Sequence, residues 1–273
     1  MLVKATNACL FLCLLLLVPA FAIFQSEKKT YLPGSQATRK SLSTLKSVVL
    51  WSWQNDDNLI FIDPDKVSVA GYCGTILIDR ERVNFRPRLN ALLVPDGTVV
   101  MPVFRVVTRH PEEPLKEASI AEAVDTIAQC LKARPSPVVQ IDFDATVAER
   151  RSYLALLKSL RLALPRDTAI SVTALASWCL FDQWLERGAA DEAVAMMFSM
   201  GRGQRETLQA VQKIPFATAL SAKVSLGISA NEPSTNRELK SRAVIRQAER
   251  IYIFATGGWS KERFQKLISE VLN

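Results

Sequence analysis

Residues 138–144 read Val138-Val139-Gln140-Ile141-Asp142-Phe143-Asp144. The stretch is strand-length and rich in β-branched residues, with polar side chains entering toward its carboxyl end. Period two puts Gln140, Asp142 and Asp144 on one face and Val139, Ile141 and Phe143 on the other. Helical patterns flank it. Ser119–Ala133 places Ile120, Ala123, Ile127, Cys130 and Leu131 at helical spacing. Val147–Leu164 places Tyr153, Leu156, Leu157, Leu160 and Leu164 on one side and stops at Pro165. A strand between two helices is the unit of a parallel sheet.

The same unit recurs in both directions. Apolar runs of strand length lie at Val48–Trp53, Val67–Tyr72, Val99–Val107, Ala169–Ala174, Ala193–Phe198, Val224–Ile228 and Ile251–Phe254. Most are near-continuously apolar, as strands buried on both faces are. Further helices are expected over Ser177–Arg187, Gln204–Gln212, Ser234–Glu249 and Ser260–Leu272. Eight strands alternating with helices predict an α/β fold, a (β/α)8 TIM barrel over residues 47–273. The alternative, an open doubly wound sheet, lacks a Gly-rich phosphate turn to give it a function. Asp79–Gly97, with Arg80, Arg82, Arg86 and Arg88 beside Pro87 and Pro95, reads as a loop excursion.

The amino terminus has a different character. Lys4 precedes an apolar run from Leu10 to Val18, then Pro19 and Ala20-Phe21-Ala22. Residues 1–22 therefore read as a signal peptide, too short in its apolar run for a membrane span of about 20 residues. The chain is expected to be exported, to the periplasm or the exterior, with an uncleaved signal anchor as the alternative. Residues 23–46 are polar and basic and read as a tether or arm with no core of its own.

Composition narrows the chemistry. Lys and Arg number 34 against 27 Asp and Glu, an excess spread along the chain, so no nucleic-acid partner is expected. One His removes multi-His metal sites. Cys73, Cys130 and Cys179 follow the signal at spacings unlike a zinc site, and their odd number allows one disulfide at most. No cofactor and no metal are expected.

In a barrel, chemistry sits at the carboxyl ends of the strands. Asp142 and Asp144, about 7 Å apart along one strand face, would repel in a low-dielectric cavity, so one keeps its proton. A carboxylic acid beside a carboxylate is the equipment of glycoside hydrolysis. Trp51 and Trp53 end the first strand, Trp178 follows the fifth and Trp259 the eighth, and aromatic faces suit sugar rings. Arg105 offers a bidentate donor near the end of strand three. Glu232, after strand seven, is the candidate second carboxylate across the barrel. His110 reads as a surface loop residue. The expected catalytic set is thus Asp142, Asp144 and Glu232. The expected substrate contacts are Trp51, Trp53, Arg105, Gln140, Trp178 and Trp259, and the expected partner is a carbohydrate or polysaccharide.

Val139–Thr146, the Tyr153 and Leu156-Leu157 helix, and Ser171-Val172-Thr173-Ala174-Leu175-Ala176-Ser177-Trp178-Cys179 resemble a bacterial domain family regarded as a TIM barrel related to glycoside hydrolases. Trp51-Ser52-Trp53, Arg86-Pro87-Arg88 and Met196–Arg202 fit the same resemblance, which runs from about residue 46 to the end. Strand four is also distantly similar to the D-x-D-x-E strand of chitinase-like hydrolases. On that pattern Gln140 takes the first Asp position, Asp142 the second, and Asp144 the position of the acid Glu. The similarity implies a sugar-facing site. Two function classes follow: a glycoside hydrolase with Asp144 as acid, or a non-catalytic barrel that binds a glycan or another partner. A metal-dependent hydrolase is a third, poorer reading, because two Asp alone are too few ligands for a hard cation.

Overall fold

The computed structural model describes residues 35–182, 184–185, 189–213, 224–241 and 244–271. The signal-peptide reading of residues 1–22 lies outside them. Eight parallel strands close on themselves: β1 Val48–Ser52, β3 Val67–Asp79, β6 Val100–Thr108, β7 Val138–Asp142, β8 Ala169–Leu175, β9 Glu192–Met196, β10 Val224–Ser229 and β11 Ile251–Phe254. Each pairs in parallel with its neighbours, and β1 seals the ring against both β3 and β11. The eight predicted strands are these eight. Among the described residues no helix is long and apolar enough to cross a membrane.

Alternation divides the strand residues between two cores. Val49 and Trp51 of β1, Val103 of β6, Val138 of β7, Val194 of β9 and Tyr252 of β11 fill the barrel interior. Val48, Leu50, Val139, Ile141, Ile170 and Val172 point outward, against helices α2 Glu117–Ala133 and α3 Arg150–Ala163 and their neighbours. Each fully buried side chain of this size contributes about 1.5–3 kcal/mol relative to exposure.

A polar network crosses the interior. The Glu192 carboxylate accepts from Ser171 Oγ (2.8 Å), Ser225 Oγ (2.7 Å), Tyr252 OH (2.7 Å) and Arg250 Nη1 (2.9 Å). Gln140 Nε2 donates to Ser171 Oγ at 3.1 Å, and Trp51 Nε1 donates to Gln140 Oε1 at 2.7 Å. Charges are buried here at low cost because each has several hydrogen-bond partners. The other Arg250 nitrogen reaches the carbonyl of Leu42 at 2.8 Å. Leu42 ends α1 Gln36–Leu42, which Ser35 caps by accepting from the Thr38 amide. Leu42 and Leu45 are buried with the barrel interior. The last part of the segment read as a coreless arm is therefore part of the core.

Two further departures from expectation matter. Asp79–Gly97 is not a plain loop: β3 runs on to Asp79 and turns into the antiparallel β4 Arg82–Pro87. A small second sheet pairs β2 Asp57–Asn58 with β5 Leu92–Leu93. Within the helix expected over Ser177–Arg187, Trp178–Asp182 form a π-helical turn, and residues 183 and 186–187 lie outside the described residues. The remaining helices follow expectation as α4 Gln204–Lys213, α5 Pro233–Ser241 with α6 Val244–Gln247, and α7 Lys261–Val271. Cys73, Cys130 and Cys179 are free thiols. Cys73 is the extra residue of a bulge in β3 opposite β6.

Candidate active site

A cavity of about 270 Å³ opens at the carboxyl ends of the barrel strands. Its walls include Trp51 and Trp53 from the end of β1, Arg105 from β6, Asp142 and Asp144 from β7, and Thr173 from β8. Phe198 and Phe254 complete the wall beside the tryptophans, stacked 5.6 Å apart with an interplanar angle of 1°. The Trp51 ring stands edge-on to both, at 6.2 Å from each. Gly227 makes that approach feasible: a Cβ there would stand 3.3 Å from the Trp51 ring and 3.4 Å from Phe198.

The two strand-four aspartates differ sharply in environment. Asp142 is 8 % exposed. It accepts from Thr173 Oγ1 at 2.7 Å and lies 3.8 Å from Arg105 Nη1. Burial, and secondly the charge of Asp144, push its carboxyl up to about 6, against the pull of the Thr173 hydroxyl and Arg105. Asp144 sits at the mouth with its side chain 53 % exposed, 3.7 Å from Arg105 Nη2. One guanidinium thus faces both carboxylates, and it also lies over the Trp53 ring at 5.5 Å. With one proton on the aspartate pair, the remaining carboxylate and Arg105 balance in charge.

Five of the expected residues therefore meet in one cavity: Trp51, Trp53, Arg105, Asp142 and Asp144. Four others stand elsewhere. Gln140 is fully buried beneath the cavity, hydrogen-bonded to Trp51 and Ser171, so it positions the floor instead of touching a ligand. Glu232 turns its carboxylate to the Ser199 amide at 2.8 Å and to Thr235 Oγ1 at 3.3 Å. It fixes the loop of Ser199, a cavity-wall residue with φ of 52°, and does not line the cavity itself. Trp178 is buried in the outer core, edge to face with Trp184 at 4.9 Å. Trp259 braces the rim: its indole donates to the Trp51 carbonyl at 2.8 Å and its amide to Asp57 Oδ1 at 3.1 Å.

Sequence reasoning passed over Thr173, Leu175, Met196, Phe198 and Phe254 as wall residues. The signal for two was present, since Met196 and Phe198 share a face at the end of a strand. Among the described residues, His110, Glu112 and Glu113 group closely enough to hold a metal ion, within 4.8 Å of one another. They belong to the segment after β6 and are not part of the cavity wall.

No family model matches the sequence, and no curated protein matches it. Solved structures do. A chitinase from Bacteroides thetaiotaomicron superposes with a TM-score of 0.58 at 11 % identity, covering 83 % of this chain and 95 % of that one. A chitinase from Rhizomucor miehei gives 0.52 at 11 %, covering 83 % and 99 %. The catalytic domain of a family GH18 chitinase from a fern gives 0.51 at 13 %, covering 82 % and 98 %. What this chain shares with these proteins at such low identity is the closed TIM-barrel fold.

Proposed function

We propose that this chain is an exported glycoside-hydrolase-like barrel that acts on a polysaccharide at the mouth of the barrel, with Asp144 as general acid. The observation that carries the reading is the unequal pair. Asp142 is buried and half-protonated near pH 6, beside an exposed Asp144, in a cavity walled by aromatic rings. Neighbouring carboxyls whose environments separate their protonation are the mark of acid and base work. The fold shared with chitinases supports a sugar ligand, and the signal-like residues 1–22 support export.

In this reading the proton held by Asp142 passes to Asp144, which delivers it to the glycosidic oxygen as the bond from the anomeric carbon breaks. Asp142, held by Thr173 and now ionised, places its negative charge below the ring, where positive charge develops. A water then supplies hydroxide to the anomeric carbon, and its proton returns to Asp144. Trp53 and the Phe198–Phe254 stack offer apolar faces to the sugar. A second reading, glycan binding without turnover, is favoured by one observation: both carboxylates on the cavity wall come from the end of β7, and among the described residues no other carboxylate lines the wall.

The chain from Ile23 onward and its Asp144→Asn variant are incubated with chitin, bacterial envelope and extracellular polysaccharides, and released oligosaccharides are read by mass spectrometry. Product from the first, reduced 10²- to 10⁴-fold in the second, is the expected result. Product at equal rates refutes the role of Asp144. Glycan retained without product establishes the binding reading.

A further inference from the structure

The strands next to Arg105 are longer than the barrel requires. β1 pairs with β3 only through Gly71, and β7 pairs with β6 only through Arg105. Beyond those points β3 continues from Gly74 to Asp79, paired with β4 on one side and β6 on the other. Six residues of strand stand about 17 Å past the rim. The result is a three-stranded wall rising beside the cavity.

The two faces of the wall differ. Ile76, Ile78, Phe104 and Val106 on the outer face are buried with Ile120, Val124 and Ile127 of α2. The inner face continues the cavity wall. The bulge at Cys73 resets the alternation, so that Tyr72 and Thr75, three apart, share a face; Tyr72 OH and Thr75 Oγ1 lie 2.6 Å apart. Tyr72 packs on Trp53 at 4.8 Å. Thr75 is in register with Arg105 on one side and Arg86 on the other, and Asp79 with Arg82. Arg82, Asn84 and Arg86 are all exposed on this face.

The charges on the wall are unequally satisfied. Asp79 is held by Arg109 at 3.7 Å and His110 at 3.4 Å, and Arg105 by the two aspartates. Arg82 and Arg86 form no ion pair with another described residue. They stand about 13 Å apart along β4. Two free guanidinium groups, spaced along an exposed ledge that leads out of an aromatic cavity, fit a polymer carrying repeated anionic groups.

We propose that this wall binds an acidic polysaccharide, its carboxylate or phosphate groups held by Arg82 and Arg86 as the polymer leaves the cavity. The inference rests on the reading of the cavity as a sugar site and names the substrate class. The chain from Ile23 is titrated at fixed ionic strength with three fluorescent probes: oligogalacturonate, a phosphomannan oligosaccharide and a chitin oligomer. Arg82→Gln/Arg86→Gln is compared with Lys132→Gln/Arg166→Gln, an equal charge loss at the opposite end of the barrel. The wall variant is expected to lose roughly 10- to 100-fold in affinity for an anionic probe and none for the chitin oligomer. Preference between the two anionic probes assigns carboxylate or phosphate. An equal loss in the distal variant, or no loss in the wall variant, overturns the proposal. Asp144→Asn keeps the wall intact. Arginine-dependent retention of an acidic glycan by that variant, with no product from the parent chain, would remove hydrolysis and leave the wall.

Discussion

Asp142→Asn is expected to make the protein more stable at neutral pH. The carboxyl of Asp142 lies at about 6 in the folded chain against an ordinary 3.8, chiefly because it is buried and secondly because Asp144 is charged. Between those pH values the folded chain holds a proton that the unfolded chain releases. The stability this proton confers is full below 3.8 and is lost as pH rises through about 6. At pH 7 the charged Asp142 therefore costs about 3 kcal/mol. Asparagine keeps the shape and can still accept from Thr173, but carries no charge to bury. Urea unfolding at pH 7 should place Asp142→Asn about 3 kcal/mol above the parent, or roughly 6–12 °C higher in Tm. Near pH 4 the gap should close. A gap that is constant with pH, or a variant less stable at pH 7, would refute the account of Asp142 as a strained carboxylate. A gain in stability with a loss of function is the signature of a residue kept for its chemistry.

Four further outcomes follow from the same geometry. If the aspartate pair must hold one proton, hydrolysis should decline as pH rises through about 6, which a pH–rate profile measures. Glu192→Ala leaves Arg250 buried with Glu249, at 3.8 Å, as its acidic neighbour, and should cost about 3–5 kcal/mol in thermal or chemical denaturation. Gly227→Ala presses a methyl against Trp51 and Phe198 and should cost about 1–3 kcal/mol while weakening glycan binding, read by calorimetry. Trp259→Phe removes the indole bond to the Trp51 carbonyl and should lower stability by about 1 kcal/mol.

The eight barrel strands were legible because most of them run near-continuously apolar, a pattern that requires no knowledge of partners. The wall was not, although its signal was present. Arg82, Val83, Asn84, Phe85 and Arg86 alternate strictly, as a half-exposed strand should, but the arginines and Pro87 argued for a loop. The site divides along a similar line. Period two identified the inward face of β7 and thus the aspartate pair. It carries no information on depth, so Gln140 was grouped with Asp142 though it lies one layer lower. Trp178 and Trp259 were placed by nearness to strand ends, but the backbone after a strand turns away from the axis, toward the outer core or the rim. Glu232 was diverted by the Ser199 amide, a contact between loops 33 residues apart that no local pattern encodes.

The bond from Arg250 to the carbonyl of Leu42 joins residues 208 apart in sequence. The same arginine completes the shell around Glu192, and β11 beside it supplies the last seam with β1. A ribosome must therefore release the chain through β11 before the ring can shut. Until then the nascent protein is an open ribbon with two bare strand edges and a carboxylate lacking its cation. Such contacts form late and slowly, and the interval before they form is when strand edges invite aggregation. A holding chaperone would find its substrate in that interval, which Arg250 and β11 bring to an end.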